Sequence, residues 1–482
     1  MAAFQYEMGF SQNALDPNSD WYVWVHDTKN IESKIVSGDF PEHGPGYWDL
    51  YKKDHDWAEW MGLNTWRMNP EWSRIFPKPT TSVRVSVDHD DEGIKGIEVS
   101  VSALRKLDEL ANKSAVKRYR EIFRDIKSRG MKLILNLYHW PLPTWVHDPI
   151  RARDTGLREG PRGWVDDETV IEFAKFVAYV AWEFPDIPDM WSTMNEPSNV
   201  WSLGYLGGSF PPGLMDLRAA ERAAFNMVQA HARAYDQIKR IVGKNAKIGV
   251  IYIVSPGEPL TDSEKDREAV KLYHEASVEW FFKAILQGTV KRNLEGGEIN
   301  RKDMRNKADW IGVNYYTRNV IKHIDRPPYF QGEVDYGFSC KPSSKSAAGR
   351  PTSEFGWEIY PEGMRKALNI CGKYGKPLIV TENGIADIKD KHRPWYLVSH
   401  LYNVWLAIKE DKLNIIGYLH WSLIDNFEWA MGFSKRFGLI HVDINTKKRT
   451  PRPSAYIYRD IIENNALSEY LEEYSKYPNV FC

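Results

Sequence analysis

Cysteine is scarce: Cys340, Cys371 and Cys482 are the only three in 482 residues. They lie far apart, which excludes a disulfide framework, and none has a metal-type spacing to another ligand residue. Free thiols predict a reducing, cytoplasmic compartment. Charge of one sign is also lacking: 64 basic residues face 65 acidic ones, a formal net charge of -1. Nothing electrostatic therefore draws the chain to nucleic acid or to an anionic membrane surface. No apolar run reaches the ~18 residues that a membrane span needs. The opening MAAFQYEMGF has no basic region followed by an apolar stretch, so no signal peptide is expected. The sequon Asn112-Lys113-Ser114 is accordingly read as chance.

Aromatic residues, by contrast, are plentiful, with 20 Trp and 25 Tyr. Most must serve packing. A pyranose, however, presents an apolar C–H face that packs on an aromatic ring, so the excess modestly favours a carbohydrate ligand.

Short apolar runs recur along the chain. They are Leu133 to Leu137, Ile248 to Ile253, Trp310 to Val313, Leu378 to Val380 and Ile415 to Leu419, with shorter candidates at Asn64 to Met68 and Met190 to Thr193. Amphipathic stretches lie between them, among them Ala115 to Lys127, Glu168 to Trp182, Ala219 to Ile241 and Pro361 to Cys371. Alternating strand and helix predicts a parallel sheet with helices outside, and near-continuous apolar strands predict burial on both faces. Seven strands are counted, and eight would close a (β/α)8 TIM barrel. An open doubly wound sheet is the alternative, but no Gly-rich phosphate loop follows any strand. The whole chain, 1–482, is read as a single barrel domain. The charged, alternating stretch within residues 80–112 is read as a surface insertion, a hairpin at its core.

In a parallel barrel the active site sits where the strands end. Here six strand ends carry polar or aromatic groups: Arg67, Tyr138-His139-Trp140, Asn195-Glu196, Asn314-Tyr315-Tyr316, Glu382-Asn383 and His420-Trp421, the last followed by Asp425 to Trp429. Taken singly, each is an ordinary turn or helix cap. Six together, with two carboxylates and two histidines, are hard to reconcile with turns alone. The set suits a retaining glycosidase, which needs two carboxyl groups about 5 Å apart, one protonated and one ionised. Glu382 fits the nucleophile, with Arg67 beside it to favour the ionised form, and Glu196 fits the acid/base. Asn195 suits the sugar 2-hydroxyl. Gln5, His139 and Glu428 suit the other hydroxyls, and Trp421 and Trp429 suit an aromatic floor.

At this point the chain resembles glycoside hydrolase family 1, and in particular its archaeal β-glycosidases. The resemblance is carried by STMNEP (192–197), VTENGIAD (380–387), LNLYHWPLP (135–143), DWIGVNYYTR (309–318), GWEIYPEG (356–363), EWSRIFPKP (71–79) and GYLHWSLIDNFEWAMGFSKRFGL (417–439). It runs in the family's order from Phe4 nearly to the end. The resemblance implies Glu196 as acid/base and Glu382 as nucleophile, with a sugar pocket of Gln5, His139, Trp140, Asn195, Trp421, Glu428 and Trp429. It further implies that Asn314 and Tyr316 support the nucleophile region, that Trp357 lines the leaving-group side, and that Phe437 lines the pocket. No cofactor or metal is implied. The carboxylate at Glu428 favours unphosphorylated sugars, and the presence of Glu196 favours O-glycosides. The expected partners are small β-glycosides or oligosaccharides, and a homo-oligomer, dimer or tetramer, is expected from the archaeal relatives.

The chain departs from the family in one respect. Members begin with a strand of about a dozen residues ahead of the FQxE segment, whereas this chain enters Phe4-Gln5-Tyr6-Glu7 at once. Most of the first barrel strand is therefore expected to be missing. The competing reading that follows is a catalytically impaired sugar-binding barrel. A mainly transglycosylating enzyme would share every residue named.

Overall fold

The computed structural model describes residues 1–293, 297–325 and 332–467. Its centre is a seven-stranded, all-parallel sheet: β1 (Thr65–Met68), β2 (Lys132–Asn136), β3 (Met190–Asn195), β4 (Ile248–Ile253), β5 (Trp310–Asn314), β6 (Leu378–Glu382) and β7 (Ile415–Tyr418). The strands are hydrogen-bonded in chain order from β1 to β7. Every strand coincides with a predicted apolar run, to within two residues at its ends.

Helices fill the intervals. Lys113–Ser128 precedes β2, Asp167–Glu183 precedes β3, Leu217–Ile241 precedes β4, Glu362–Gly372 precedes β6 and Arg393–Lys409 precedes β7. Strand, outer helix and next parallel strand is the unit of the TIM barrel, and the curled sheet conforms to it. Local chemistry sets the helix starts. Asn112 caps Lys113–Ser128 by accepting from the Ser114 and Ala115 amides, which gives the sequon asparagine a structural task. Asp216 caps Leu217–Ile241 in the same way, and Lys239 and Arg240 lie in its last turn, where the carbonyl ends favour positive charge.

The segment after β1 forms an antiparallel hairpin, Ser86–Asp90 with Gly93–Glu98. Its inner face is packed rather than merely solvated: Ile94 and Ile97 are buried, and Gln229 and Gln237 of the Leu217–Ile241 helix bond the Ile94 amide and the Ile97 carbonyl.

Among the described residues β1 pairs only with β2, and β7 only with β6. The N-terminal residues form a short helix, Ala3–Tyr6, above the C-terminal end of β1, and all four of its side chains are buried.

Candidate active site

The strand ends converge as a barrel requires, and irregularities in the ladder aim the side chains. The β3–β4 register shifts between Ser192 and Asn195, and the β5–β6 register shifts between Val313 and Asn314, so that Asn314 faces Glu382. Such bulges re-aim side chains at barrel rims. Glu196 follows β3 with left-handed dihedrals (φ 45, ψ 56) at the start of the helix Pro197–Tyr205. A non-glycine residue there is strained, and that helix start is left without a side-chain cap because the carboxyl turns into the pocket. Trp140 (φ 86) and Trp429 (φ 49) are held the same way.

Glu382 ends β6 with both carboxylate oxygens engaged. Arg67 Nη1 donates to Oε1 at 2.6 Å, and the Tyr316 hydroxyl donates to Oε2 at 2.6 Å. The guanidinium bond is charge-assisted, the stronger kind. Gly384 follows two residues later because the Trp421 carbonyl passes so close that any Cβ would collide with it.

Glu196 is held by amides instead. Asn314 Nδ2 donates to Oε1 at 2.7 Å, and Asn199 Nδ2 donates to Oε2 at 2.8 Å. Burial first, and then the charge of Glu382, push this carboxyl up to about 8, so it carries its proton at neutral pH. Each glutamate is only 4% exposed, which keeps the dielectric low and the charge effects strong. Two carboxyl groups in one pocket, one gripped by a cation and one held neutral, is the division of labour that acid and nucleophile require.

Asn195 is the hub between them. Its Oδ1 accepts from Arg67 Nη2 at 2.6 Å and from Asn314 Nδ2 at 3.1 Å. Its Nδ2 lies 3.1 Å from His139 Nε2. Burial and the Arg67 charge hold His139 well below its ordinary pKa, so the ring is neutral and accepts there. Glu428 receives Gln5 Nε2 at 3.2 Å, and burial with the Glu382 charge pushes it too up to about 8. Gln5 is steadied in turn by Asn426 at 3.1 Å. Trp421 and Trp429 both lie nearly parallel to the His139 ring, with centroids at 6.2 and 6.0 Å. Trp140 packs on Trp429 at 4.5 Å, and its indole N–H bonds the Asn195 carbonyl. On the other wall Trp357 stands against Tyr316 at 5.2 Å and Phe437 at 6.1 Å.

All fourteen residues singled out in the sequence thus fall in one connected constellation. Asn314, expected to serve the nucleophile region, is the register partner of Glu382 and accepts from Thr381 with its Oδ1, while its amide nitrogen goes to Glu196. Asn199 was missed, and Asn426, though within the strand-end run, was given no role. Asn199 lies three residues past Glu196 in the first helical turn, the spacing at which a side chain reaches back to the helix start, and that signal was available. Asn426 accepts from Gln5, 421 residues away, and donates to the Tyr6 hydroxyl, contacts that no local pattern shows.

The family model "Glycosyl hydrolase family 1" matches residues 90–467. The chain belongs to glycosyl hydrolase family 1. It is 50% identical to a β-galactosidase of Saccharolobus solfataricus, over 99% of this chain and 96% of that one. It is 43% identical to a β-galactosidase of Pyrococcus woesei, over 98% and 97%. Among solved structures, the β-glycosidase from the hyperthermophile Thermosphaera aggregans superposes with a TM-score of 0.93 at 47% identity, covering 99% of this chain and 98% of that one. As a family 1 member the chain is a β-glycosidase of the retaining type with a TIM-barrel fold.

Proposed function

We propose that Glu382 is the nucleophile and Glu196 the acid/base of an exo-acting β-glycosidase that hydrolyses β-glucosides and β-galactosides. The observation that carries this reading is the opposed setting of the two carboxyls, Glu382 held by Arg67 and Tyr316, Glu196 held by two amides and pushed up to about 8.

The chemistry follows. A Glu382 oxygen attacks the anomeric carbon as the bond to the leaving oxygen breaks, and Glu196 delivers its proton to that oxygen. The covalent ester removes the charge of Glu382, and with it one cause of the raised pKa of Glu196. Glu196, now ionised, takes a proton from water as the water oxygen attacks the anomeric carbon and frees Glu382. An acceptor alcohol in place of water gives transglycosylation. Asn195, Gln5, His139 and Glu428 serve the sugar hydroxyls; Trp140, Trp421, Trp429 and Phe437 line the pocket; Trp357 serves the leaving-group side. At neutral pH Glu428 is a carboxylic acid, able both to donate to and accept from a hydroxyl.

Residues 1–482 are proposed as one barrel domain with 80–112 as an insertion. A homo-oligomer is inferred, in line with a related β-glucosidase whose structure is described as derived from a tetrameric one. A cytoplasmic location is inferred from the scarcity of cysteine. No helix among the described residues is long and apolar enough to cross a membrane. The impaired sugar-binding reading is disfavoured by the full set of partners around both glutamates. The test is hydrolysis of p-nitrophenyl β-glucoside and β-galactoside by the wild type beside Glu382→Gln and Glu196→Gln. Turnover by the wild type and loss in Glu382→Gln support the reading; equal rates overturn it.

A further inference from the structure

Aromatic rings lead outward from Glu382. The Tyr316 hydroxyl bonds its carboxylate, the Tyr316 ring meets the Trp357 indole at 5.2 Å, and the indole meets the Phe338 ring at 5.5 Å, 23° from parallel. Exposure rises along this path. Tyr316 is buried, Trp357 is half-buried, and Phe338 is 42% exposed. Each step is about the length of one sugar ring.

A lone exposed phenylalanine is ordinary on a protein surface. Here, however, the backbone is built to hold it. Phe338 follows the strand Gly332–Tyr336, and the segment it opens is laced to the one that carries Trp357. The Glu358 amide donates to the Gly337 carbonyl, and the Cys340 amide donates to the Gly356 carbonyl, both at 2.8 Å. Two glycines permit the close approach. Gly337 (φ 114) and Gly356 (φ 89) have dihedrals that side chains disfavour, and a Cβ on either would collide with backbone, at the Arg318 and Cys340 carbonyls. The indole also has a packing partner besides Phe338: Phe355 stacks on it at 4.4 Å and 13°, with the Lys435 ammonium over the Phe355 ring. The open part of the Phe338 ring is thus apolar area left to water, which the C–H face of a pyranose would cover.

We propose that Phe338 determines specificity for the leaving group, as an outer platform for its second ring. A β-linked trisaccharide would set its first ring at Glu382 and Glu196, its second at Trp357 and its third on Phe338. The inference rests on the assignment of the two glutamates proposed above and adds a residue outside their pocket.

The test is the ratio of kcat/KM for cellotriose to that for cellobiose, two substrates that differ by the one ring Phe338 would meet. Phe338→Ala is expected to lower this ratio about tenfold, and Phe338→Trp to keep it. An unchanged ratio in Phe338→Ala, or a ratio that falls as far in Phe338→Trp, would overturn the proposal. β-Glucosyl fluoride, whose leaving group reaches neither ring, monitors the chemistry alone. A wild type silent on it contradicts the assignment of the glutamates. The ratio is then read from the dissociation constants of the two sugars by calorimetry, with the same two outcomes.

Discussion

Arg67 spans the two halves of the site: Nη1 lies 2.6 Å from Glu382 Oε1, and Nη2 lies 2.6 Å from Asn195 Oδ1, next to Glu196 in the chain. One guanidinium thereby grips the carboxyl proposed as nucleophile and the neighbour of the carboxyl proposed as acid/base. The fork geometry serves this double contact, which a lysine could not make. Arg67→Lys is expected to lower kcat by about a hundredfold, the scale seen when a preorganised electrostatic partner is lost. Steady-state kinetics on an aryl β-glucoside read it; a change confined to KM would speak against the role.

Tyr316 makes the second bond to Glu382, at 2.6 Å. Tyr316→Phe leaves the ring against Trp357 and removes only the hydroxyl. A loss of about tenfold in kcat is expected, the equivalent of one hydrogen bond of about 1.4 kcal/mol. An unchanged kcat would place the hydroxyl outside the catalytic step.

The pH profile separates two carboxyls that are both pushed up to about 8. Glu196 must carry its proton to donate it, so kcat/KM falls as pH rises through about 8. Glu428→Gln should keep that alkaline limb with a raised KM. Glu196→Gln should lose the limb on dinitrophenyl glycosides, whose leaving group needs no acid. Loss of the limb in Glu428→Gln alone would reassign the titration.

The same shift has a stability consequence. Glu196 has a folded pKa above that of an unfolded glutamate, about 4.3. Between that value and about 8 the native state holds a proton that the unfolded chain releases, so this group's contribution is complete below the unfolded pKa and is lost as pH rises through about 8. Glu196→Gln removes the penalty and should be more stable than wild type at pH 9, by about 1 kcal/mol or more, with the difference shrinking towards pH 5. Thermal unfolding at the two pH values checks this. A variant less stable than wild type at pH 9 would contradict it.

The sheet was legible in the sequence because parallel strands buried on both faces read as unbroken apolar runs, as in Ile248–Ile253 and Leu378–Val380. The site was legible because polar groups at the ends of such runs violate the local pattern, Arg67 and Glu382 most plainly. What escaped was long-range or directional. The Asn426–Gln5 contact joins opposite ends of the chain. The aim of the Asn314 amide towards Glu196 depends on a register shift at the end of β5 that no residue pattern signals.

The most direct measurement of the central claim is mass mapping after incubation with a 2-deoxy-2-fluoro β-glucoside bearing a dinitrophenyl leaving group. The electronegative fluorine slows breakdown of the ester more than the activated leaving group allows its formation to slow. The account predicts stoichiometric labelling at Glu382, with one sugar per chain and loss of activity in step. Label on Glu196 or Glu428, or full inactivation without a covalent adduct, would contradict it.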